Sequence, residues 1–365
     1  MKSSLGQSVN ISITGESHGE ALVAVLSGLT PGIKVDRDYI RHCLSQRAPV
    51  GKISTPRKEA DDFEILSGVF EGFTTGTPIT ILIRNTNTKS KDYSEMQTTA
   101  RPGHADFTAE MKYHGFQDFR GGGHFSGRIT AVLVAAGAIA RLALKNKGIE
   151  IGTHILKCGG VSDRNFIDIN EDIKSLNNKY FAVLDEKSAQ AMQDSILEAS
   201  RQGDSVGGVL ETAVVGLPAG LGEPWFDSME SVLSHFLFSI PGVKGVEFGE
   251  GFALADMKGS EVNGSLKVVK GKIIPVNDLS GGINGGITNG DTLKFRCAVR
   301  PTPTIFKEQN TVDIKSLENK TLCAKGRHDP AIVHRVRAVV DSAVALVLCD
   351  MLAQRFGTDW ALEVK

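Results

Sequence analysis

Three histidines lie at glycine-bounded breaks in the chain, and each has charged or hydroxyl residues beside it. They stand in the segments Gly15–Gly19 (GESHG), Arg101–Asp106 (RPGHAD) and Gly326–Pro330 (GRHDP). Glycine lets the backbone turn tightly and approach a ligand, and histidine exchanges protons near neutral pH. The pattern therefore predicts acid–base chemistry on a small anionic substrate, carried out by loops on a rigid scaffold.

Each of these segments also has a purely structural interpretation. Gly15–Gly19 could be a plain turn in which Ser17 hydrogen-bonds its own backbone. Asp106 could cap the helix that follows it, and Asp329 with Pro330 has the residue types that begin a helix. Helix capping would account for the presence of Asp329 but not for that of the nearby cation Arg327. The third segment therefore favours a functional role.

A fourth glycine segment, RGGGHFSGR from Arg120 to Arg128, precedes an alanine-rich helical pattern. Successive glycines leave backbone N–H groups free to meet an anion or a flat ring, and a helix N-terminus favours negative charge. A flexible hinge is the structural alternative. Gly203–Gly208 and Ser280–Gly290 could be hairpin turns, but together with the rigid polar segment Arg300–Thr304 they indicate a planar or phosphorylated ligand.

The composition excludes several classes of protein. The 365 residues carry a net charge of −1, from 41 basic and 42 acidic side chains, and only 6% are aromatic. Both values argue against a bulk nucleic-acid or anionic-membrane binder. The five cysteines form no CxxC pair, and HxH and HExxH are absent, which predicts neither a disulfide framework nor a metal site. With no secretory apolar region at the N-terminus and no apolar run of about 18 residues, we expect a cytoplasmic protein.

Hydrophobic periodicity predicts a mixed order of strands and helices. The predicted strands are 9–13, 21–29, 65–70, 79–84, 149–156, 207–215, 243–248, 264–269 and 292–299. The predicted helices are 36–46, 106–114, 128–147, 186–201, 228–239 and 329 to about 356. This order predicts an α/β or α+β fold, and the glycine-rich, non-adjacent strands favour α+β with antiparallel sheets. We expect one large domain over residues 1–365, with the polar segment 85–99 as a candidate lid.

Eight ordered motifs make the chain resemble the chorismate synthase family over nearly its whole length. The motifs are Gly15–Gly19, Ile65–Gly76, Arg101–Asp106, Arg120–Gly123, Gly203–Gly208, Val243–Gly249, Ser280–Gly290 and Gly326–Pro330. The resemblance implies a β-α-β sandwich with antiparallel sheets and flanking helices, usually assembled as a homotetramer. It implies the 1,4-elimination of phosphate from 5-enolpyruvylshikimate 3-phosphate to give chorismate, with reduced FMN and no net redox change.

The resemblance also assigns roles to residues. It implies that His18 is the acid that meets the leaving phosphate, that His104 acts near the reduced flavin, and that Asp329 helps proton transfer from the substrate C6 to the flavin N5; His328 is left a supporting role. The implied FMN-binding positions are His124, Phe125, Ser126, Gly285, Arg300, Pro301, Thr302, Pro303, Thr304 and Arg327. The implied substrate-binding cations are Arg47, Lys52, Arg57 and Arg128.

Two departures from the family pattern affect these assignments. Where the family often reads RGGGRSSARET, this chain reads RGGGHFSGRIT, so backbone or ring stacking replaces a cation and a hydroxyl at His124 and Phe125. The usual basic pair before Pro-Gly is Gln46-Arg47 here, and an arginine further on is Lys52, which offers charge without a bidentate fork.

Other functions compatible with these loops are a flavin-dependent oxidoreductase and, less well supported, a non-catalytic anion- or RNA-binding protein. No separate NAD(P)H-binding domain is evident in the sequence. That favours an external flavin reductase, although some members of the family reduce their own flavin with NADPH.

Overall fold

A computed structural model describes residues 3–55, 60–86, 98–277, 279–323 and 328–362. Its strands, in chain order, are β1 (Ser4–Leu5), β2 (Asn10–Thr14), β3 (Ala21–Ser27), β4 (Phe63–Ser67), β5 (Val69–Phe70), β6 (Phe73–Thr74), β7 (Ile79–Arg84), β8 (Glu150–Cys158), β9 (Val161–Ser162), β10 (Gly208–Val215), β11 (Val243–Phe248), β12 (Ser265–Val269), β13 (Lys272–Val276), β14 (Ile283–Asn284), β15 (Ile287–Thr288), β16 (Leu293–Val299), β17 (Gln309–Asp313) and β18 (Glu318–Leu322).

The helices connect these strands. They are α1 (Arg37–Arg47), α2 (Asp106–Tyr113), α3 (Thr130–Lys145), α4 (Ile169–Asn177), α5 (Glu186–Arg201), α6 (Met229–Ser239), α7 (Gly259–Val262) and α8 (Val333–Phe356). Short 3-10 segments occur at Arg120–Phe125, Gly127–Ile129, Trp225–Asp227 and Gly251–Asp256.

Two five-stranded antiparallel sheets form the framework. The first has the strand order β1-β2-β3-β7-β4 and the second the order β11-β16-β10-β8-β9. In β3 buried residues alternate with half-buried ones, the pattern of a strand that turns one face to the core. Two-stranded hairpins, β5–β6, β12–β13, β14–β15 and β17–β18, extend from this framework.

A layer of helices separates the two sheets. Helix α3 packs on β3 and β7 of the first sheet, α8 packs on β8 and β10 of the second, and the two helices pack on each other. Gly137 makes their close approach possible, because a Cβ there would lie 2.3 Å from the Cβ of Ser342. One continuous cluster of buried apolar side chains includes residues of both sheets and both helices. The predicted α+β fold, a β-α-β sandwich with antiparallel sheets, is confirmed.

The apolar segment Gly127–Lys145 is long enough and hydrophobic enough to cross a membrane by composition, but 89% of it is buried inside the fold. It is a core helix, as its apolar character on all sides predicts.

Most predicted elements are present within a few residues of their expected ends, and α5 has the predicted bounds. Helix α4, β1 and the hairpin β17–β18 were missed. Asp168 gave a usable signal for α4, because its side chain caps that helix by accepting from the Glu171 N–H.

The predicted start of the last helix was wrong. Helix α8 begins at Val333, and its N-cap position, Ile332, has no side-chain cap. Asp329 does not cap the helix because its carboxylate is committed to the backbone N–H of Thr55 and the guanidinium of Arg335.

Candidate active site

A cleft of about 1020 Å³ gathers segments that are far apart in the sequence. Its wall includes Gly103–Asp106, Gly121 and Gly122, His124–Thr130, Thr302–Thr304 and His328–Asp329, together with Arg47 from the end of α1. Its size is at the upper end of the range for small-molecule sites, roughly 300–1,000 Å³. Four of the polar segments that the sequence singled out, at 101–106, 120–128, 300–304 and 326–330, therefore contribute residues to one concave site.

The first histidine turn joins β2 to β3 and lies directly behind the cleft wall. The Ser17 N–H donates to the Gly123 carbonyl at 3.0 Å, and His18 is buried. A Cβ on Gly121 would come within 2.6 Å of the His18 ring. The ring therefore packs beneath Gly121, a wall residue whose lack of a side chain leaves only backbone between the imidazole and the cleft.

The glycine run after Arg120 presents Gly121 and Gly122 to the cleft, and all three glycines take positive φ. Gly121, Gly122 and Gly123 have φ values of 60°, 83° and 53°, and a Cβ on the buried Gly123 would lie 2.0 Å from the Asp118 carbonyl oxygen. The backbone conformation disfavours side chains at all three positions, and at Gly123 space excludes one as well.

The two residues that depart from the family pattern both reach the wall. His124 Nδ1 donates to the Gly15 carbonyl at 2.8 Å, which fixes the ring and ties it to the first histidine turn. Phe125 is 42% exposed, with its ring 6.2 Å from that of Tyr113. Ser126 uses its hydroxyl to accept from the Arg128 N–H, so it serves as a local cap.

The second histidine, His104, lies on the wall and is hydrogen-bonded to the hydroxyl of Thr304. Burial, and next the positive charge of Arg101, lower its pKa to about 3. Arg101 is itself held by a bidentate pair with Asp106, at 2.7 and 2.8 Å. Arg300 donates to the Gly103 carbonyl at 2.9 Å. His104 is therefore neutral at neutral pH, in cationic surroundings that favour an anion.

Asp329 stands at the mouth of the last helix with both carboxylate oxygens occupied. The Thr55 N–H donates to one oxygen at 2.8 Å, and Arg335 donates to the other at 2.6 Å. Arg335 also donates to the Arg47 carbonyl at 2.9 Å, which links this carboxylate to the end of α1. Beside it His328 lies on the wall, its ring 5.8 Å from that of Phe306.

Two of the predicted substrate cations form a buried cluster with a carboxylate that sequence reasoning missed. Asp61 pairs with Arg47 at 3.1 Å and with the Arg128 guanidinium, and all three side chains are buried on the cleft wall. One carboxylate against two guanidinium groups leaves one positive charge in excess. Such a site favours a phosphate or carboxylate ligand.

Some predicted site residues lie elsewhere. Lys52 is exposed and, like Pro301, is not part of the cleft wall. Gly285 lies in the turn of the β14–β15 hairpin, also away from the wall. Arg57 and Arg327 lie outside the described residues. Gln46 is buried and accepts from Arg337 at 2.8 Å, so the residue in place of the usual cation has a structural partner.

Asp61 and Arg335 were missed because no local pattern marks them. Their roles come from contacts with residues distant in the sequence, and only a charge in a polar segment near a glycine break could have pointed to them. With them, the fold and the cleft define an α+β protein whose cleft wall carries His104, an arginine cluster with one positive charge in excess, and the fixed Asp329 carboxylate.

Comparison with known proteins agrees with this description. A family profile described as chorismate synthase matches residues 9–353. The chain is 44% identical to chorismate synthase of Aeropyrum pernix over 355 residues, which cover 97% of this chain and 93% of that protein. It is 44% identical to chorismate synthase of Methanosarcina mazei, with 94% of each covered. A solved structure titled "Crystal Structure of Chorismate Synthase" superposes with a TM-score of 0.75 at 26% identity, covering 97% of this chain and 94% of that one.

The chain belongs to the chorismate synthase family, and the resemblance seen in its eight motifs is confirmed.

Proposed function

We propose that this protein is a lyase that eliminates phosphate from 5-enolpyruvylshikimate 3-phosphate to give chorismate, in the shikimate pathway. The observation that carries the proposal is the single cleft that brings His104, Asp329 and the Arg47–Arg128 pair together in a member of this family.

The arginine cluster is the proposed site for the substrate's phosphate or carboxylate. Charge-assisted hydrogen bonds to guanidinium groups are about twice as strong as neutral ones, and burial strengthens them further. Because Asp61 neutralises only one of its two partners, an anionic group placed beside Arg47 and Arg128 would find a net positive field. Arg57 belongs to the same proposal from the sequence pattern.

The cleft fits a flavin as well as the substrate. Thr302 Oγ1 and Gln117 Oε1 are buried on its wall and have no hydrogen-bond partner within the part of the chain that the structure describes. Gly121 and Gly122 offer bare backbone, and Arg300, Thr304, His124 and Phe125 complete the surface that would hold FMN. Reduced FMN, when bound, would supply electron density to the substrate ring without net redox change.

His104, His18 and Asp329 are the proposed proton-handling groups. The neutral His104 ring, in cationic surroundings, can take up a proton when an anion binds beside it, because a negative charge raises the pKa of a nearby imidazole. His18, behind the bare Gly121 backbone, is the proposed acid for the leaving phosphate. Asp329 is held in place by Thr55 and Arg335 and is the proposed proton relay.

Assembly and location follow as further parts of the proposal. Large apolar side chains are exposed outside the cleft, which supports the expected homotetramer. They include Trp225, Phe226, Phe252, Leu266, Val268 and Ile273. The five cysteines are free thiols, four of them buried, which suits a reducing cytoplasm. An external reductase supplies reduced flavin in this proposal.

The decisive experiment is an anaerobic assay with photoreduced FMN and 5-enolpyruvylshikimate 3-phosphate. We expect phosphate release with the flavin reduced throughout and no consumption of NADPH beyond that needed for reduction. Steady NADPH oxidation tied to substrate would identify a flavin-dependent oxidoreductase instead. Light scattering should give a particle of four 39.1 kDa chains, and a smaller particle would contradict the tetramer.

A further inference from the structure

Asn85, the residue after β7, joins the first histidine turn to the arginine cluster. Its Nδ2 donates to the carbonyls of Glu16 at 3.0 Å and Gly19 at 2.9 Å, which flank His18. Its Oδ1 accepts from Arg128 Nε at 3.0 Å. Carbonyls only accept and a guanidinium only donates, so this orientation of the amide is the one its three neighbouring groups permit.

The backbone at Asn85 is anchored independently of its side chain. The Asn85 N–H donates to the Glu20 carbonyl at 3.0 Å, which continues the pairing of β7 with β3. The amide group is therefore presented from the end of an inner strand, where a backbone hydrogen bond that does not involve the guanidinium holds it. A fixed group that holds two functional elements can set the distance between them.

The contact extends from Arg128 into the proposed phosphate site. Arg128 pairs with Asp61, and Asp61 pairs with Arg47 at 3.1 Å. One chain of hydrogen bonds thus runs from the backbone on either side of His18, through Asn85, to both proposed substrate cations. The other side of the turn is fixed by the Ser17 N–H bond to Gly123.

We infer that Asn85 is a positioning residue that fixes the turn carrying His18 relative to the guanidinium of Arg128. The inference rests on the proposed function for the roles of His18 and Arg128. No other side chain of this length offers two donors and an acceptor: aspartate keeps only the acceptor, and alanine keeps neither. Misplacement of a catalytic group by about 1 Å can cost about 10²-fold in rate, so loss of this spacing should be visible in turnover.

Two variants separate the two sides of the amide. Asn85→Asp keeps an acceptor for Arg128 but loses both donors to the turn, while Asn85→Ala loses both sides. Asn178→Ala is the matched control, because Asn178 also donates to a backbone carbonyl, at 3.1 Å, but is exposed at the end of α4 and away from the cleft. Melting temperatures of all four proteins show whether each variant is folded.

Hydrogen–deuterium exchange of residues 15–20 gives a measurement that does not require activity. We expect faster exchange of the turn amides in Asn85→Asp and Asn85→Ala than in wild type, with no change in Asn178→Ala. Binding of inorganic phosphate, measured by calorimetry, should weaken more in Asn85→Asp than in Asn85→Ala, because the new carboxylate beside Arg128 offsets the one excess positive charge of the cluster. Unchanged exchange in both Asn85 variants would overturn the inference, whether or not the wild-type protein is a lyase.

Kinetics then test the consequence for the reaction. With 5-enolpyruvylshikimate 3-phosphate, both variants should lower kcat by about 10-fold or more, and Asn85→Asp should raise KM more than Asn85→Ala because its carboxylate offsets the excess positive charge beside Arg128. If both variants lose the same share of kcat and change KM to the same extent, the substitutions loosen the site in general. That result would overturn a positioning role for Asn85. If wild type releases no phosphate, the proposed function fails, and the exchange and phosphate-binding results alone decide whether Asn85 holds the turn.

Discussion

At the scale of single residues, burial and neighbours give the same side chain different chemistry. His104 has its pKa lowered to about 3 by burial and by Arg101. His154, which is fully buried, has its pKa raised, because Asp163 at 2.8 Å and Glu211 at 3.2 Å outweigh its desolvation. The first ring can serve as a neutral proton acceptor, whereas the second links β8, β10 and the turn after β9 through its two carboxylate partners.

Removing the proposed catalytic histidines should abolish most turnover but leave the fold intact. We expect His18→Ala and His104→Ala each to lower kcat by about 10²-fold or more, because each loses a positioned proton carrier. The exposed His114, replaced by asparagine to suit its positive φ of 56°, is the control and should keep wild-type activity. Wild-type rates in both alanine variants would exclude histidine catalysis.

Asp329→Asn should impair the chemical step more than flavin binding. The amide can still accept from the Thr55 N–H, but it cannot carry a proton, and it leaves Arg335 without its counter-ion. We expect turnover at saturating reduced FMN to fall while the Kd for FMN stays near wild type, with the exposed Asp359→Asn as the control. A weakened Kd with normal turnover would contradict the relay role.

At the scale of elements, the central helices hold the two sheets at a fixed spacing. Nearly every residue of α3 is buried, and α8 is buried over most of its length, so neither follows a simple one-sided pattern. Their contact depends on Gly137, which faces the backbone and side chain of Ser342. Because Arg335 of α8 binds Asp329 on the cleft wall, the packing of α3 on α8 also determines where the Asp329 carboxylate lies.

Gly137→Ala should destabilise the protein although alanine is the better helix former. The added Cβ would lie 2.3 Å from Ser342 Cβ and 2.7 Å from its Cα, so the helices must separate. We expect a loss of about 1–3 kcal/mol in the free energy of unfolding, measured with urea. Gly259→Ala in α7, where the nearest atom is 3.9 Å away, is the control. An unchanged or raised stability of Gly137→Ala would show that the helix contact is looser than described.

At the scale of the whole molecule, buried histidines limit stability on both sides of neutral pH. His104 and His334 have pKa values lowered to about 3, His334 mainly by complete burial. Their contribution is fully present above an unfolded pKa of about 6.5 and is lost as pH falls from about 6.5 toward 3. The raised pKa of His154 acts in the opposite sense, since its contribution is present below about 6.5 and is lost as pH rises through the folded value.

The free energy of unfolding should therefore decline on acidification between pH 6 and 5. One buried neutral histidine contributes a slope of about 1.4 kcal/mol per pH unit below its unfolded pKa. His334→Gln, which keeps a polar partner for Ser54 in place of the ring nitrogen at 2.8 Å, should flatten the decline by about that amount. Urea unfolding at fixed protein concentration measures it. The same slope in wild type and variant would show that His334 is not neutral in the folded protein.

The sequence carried much of the fold and the site chemistry. A run of β-branched and apolar residues located β3, and hydrophobic periodicity located α5 within its true bounds. The glycine run after Arg120 predicted bare backbone at a ligand, and Gly121 and Gly122 lie on the cleft wall. These features depend on local conformation and on which residues must be buried, and the order of residue types along the chain determines both.

The sequence by itself thus determined the elements, the family and the residue types available for proton transfer and anion binding. Only the tertiary structure decided which of them meet. In the folded protein Asp329 binds Thr55 and Arg335 instead of capping a helix, Asp61 pairs with two arginines, and Asn85 lies between the His18 turn and Arg128. Such contacts join residues separated by many positions, and their partners are selected by the packing of the two sheets on the helical layer, which no local pattern encodes.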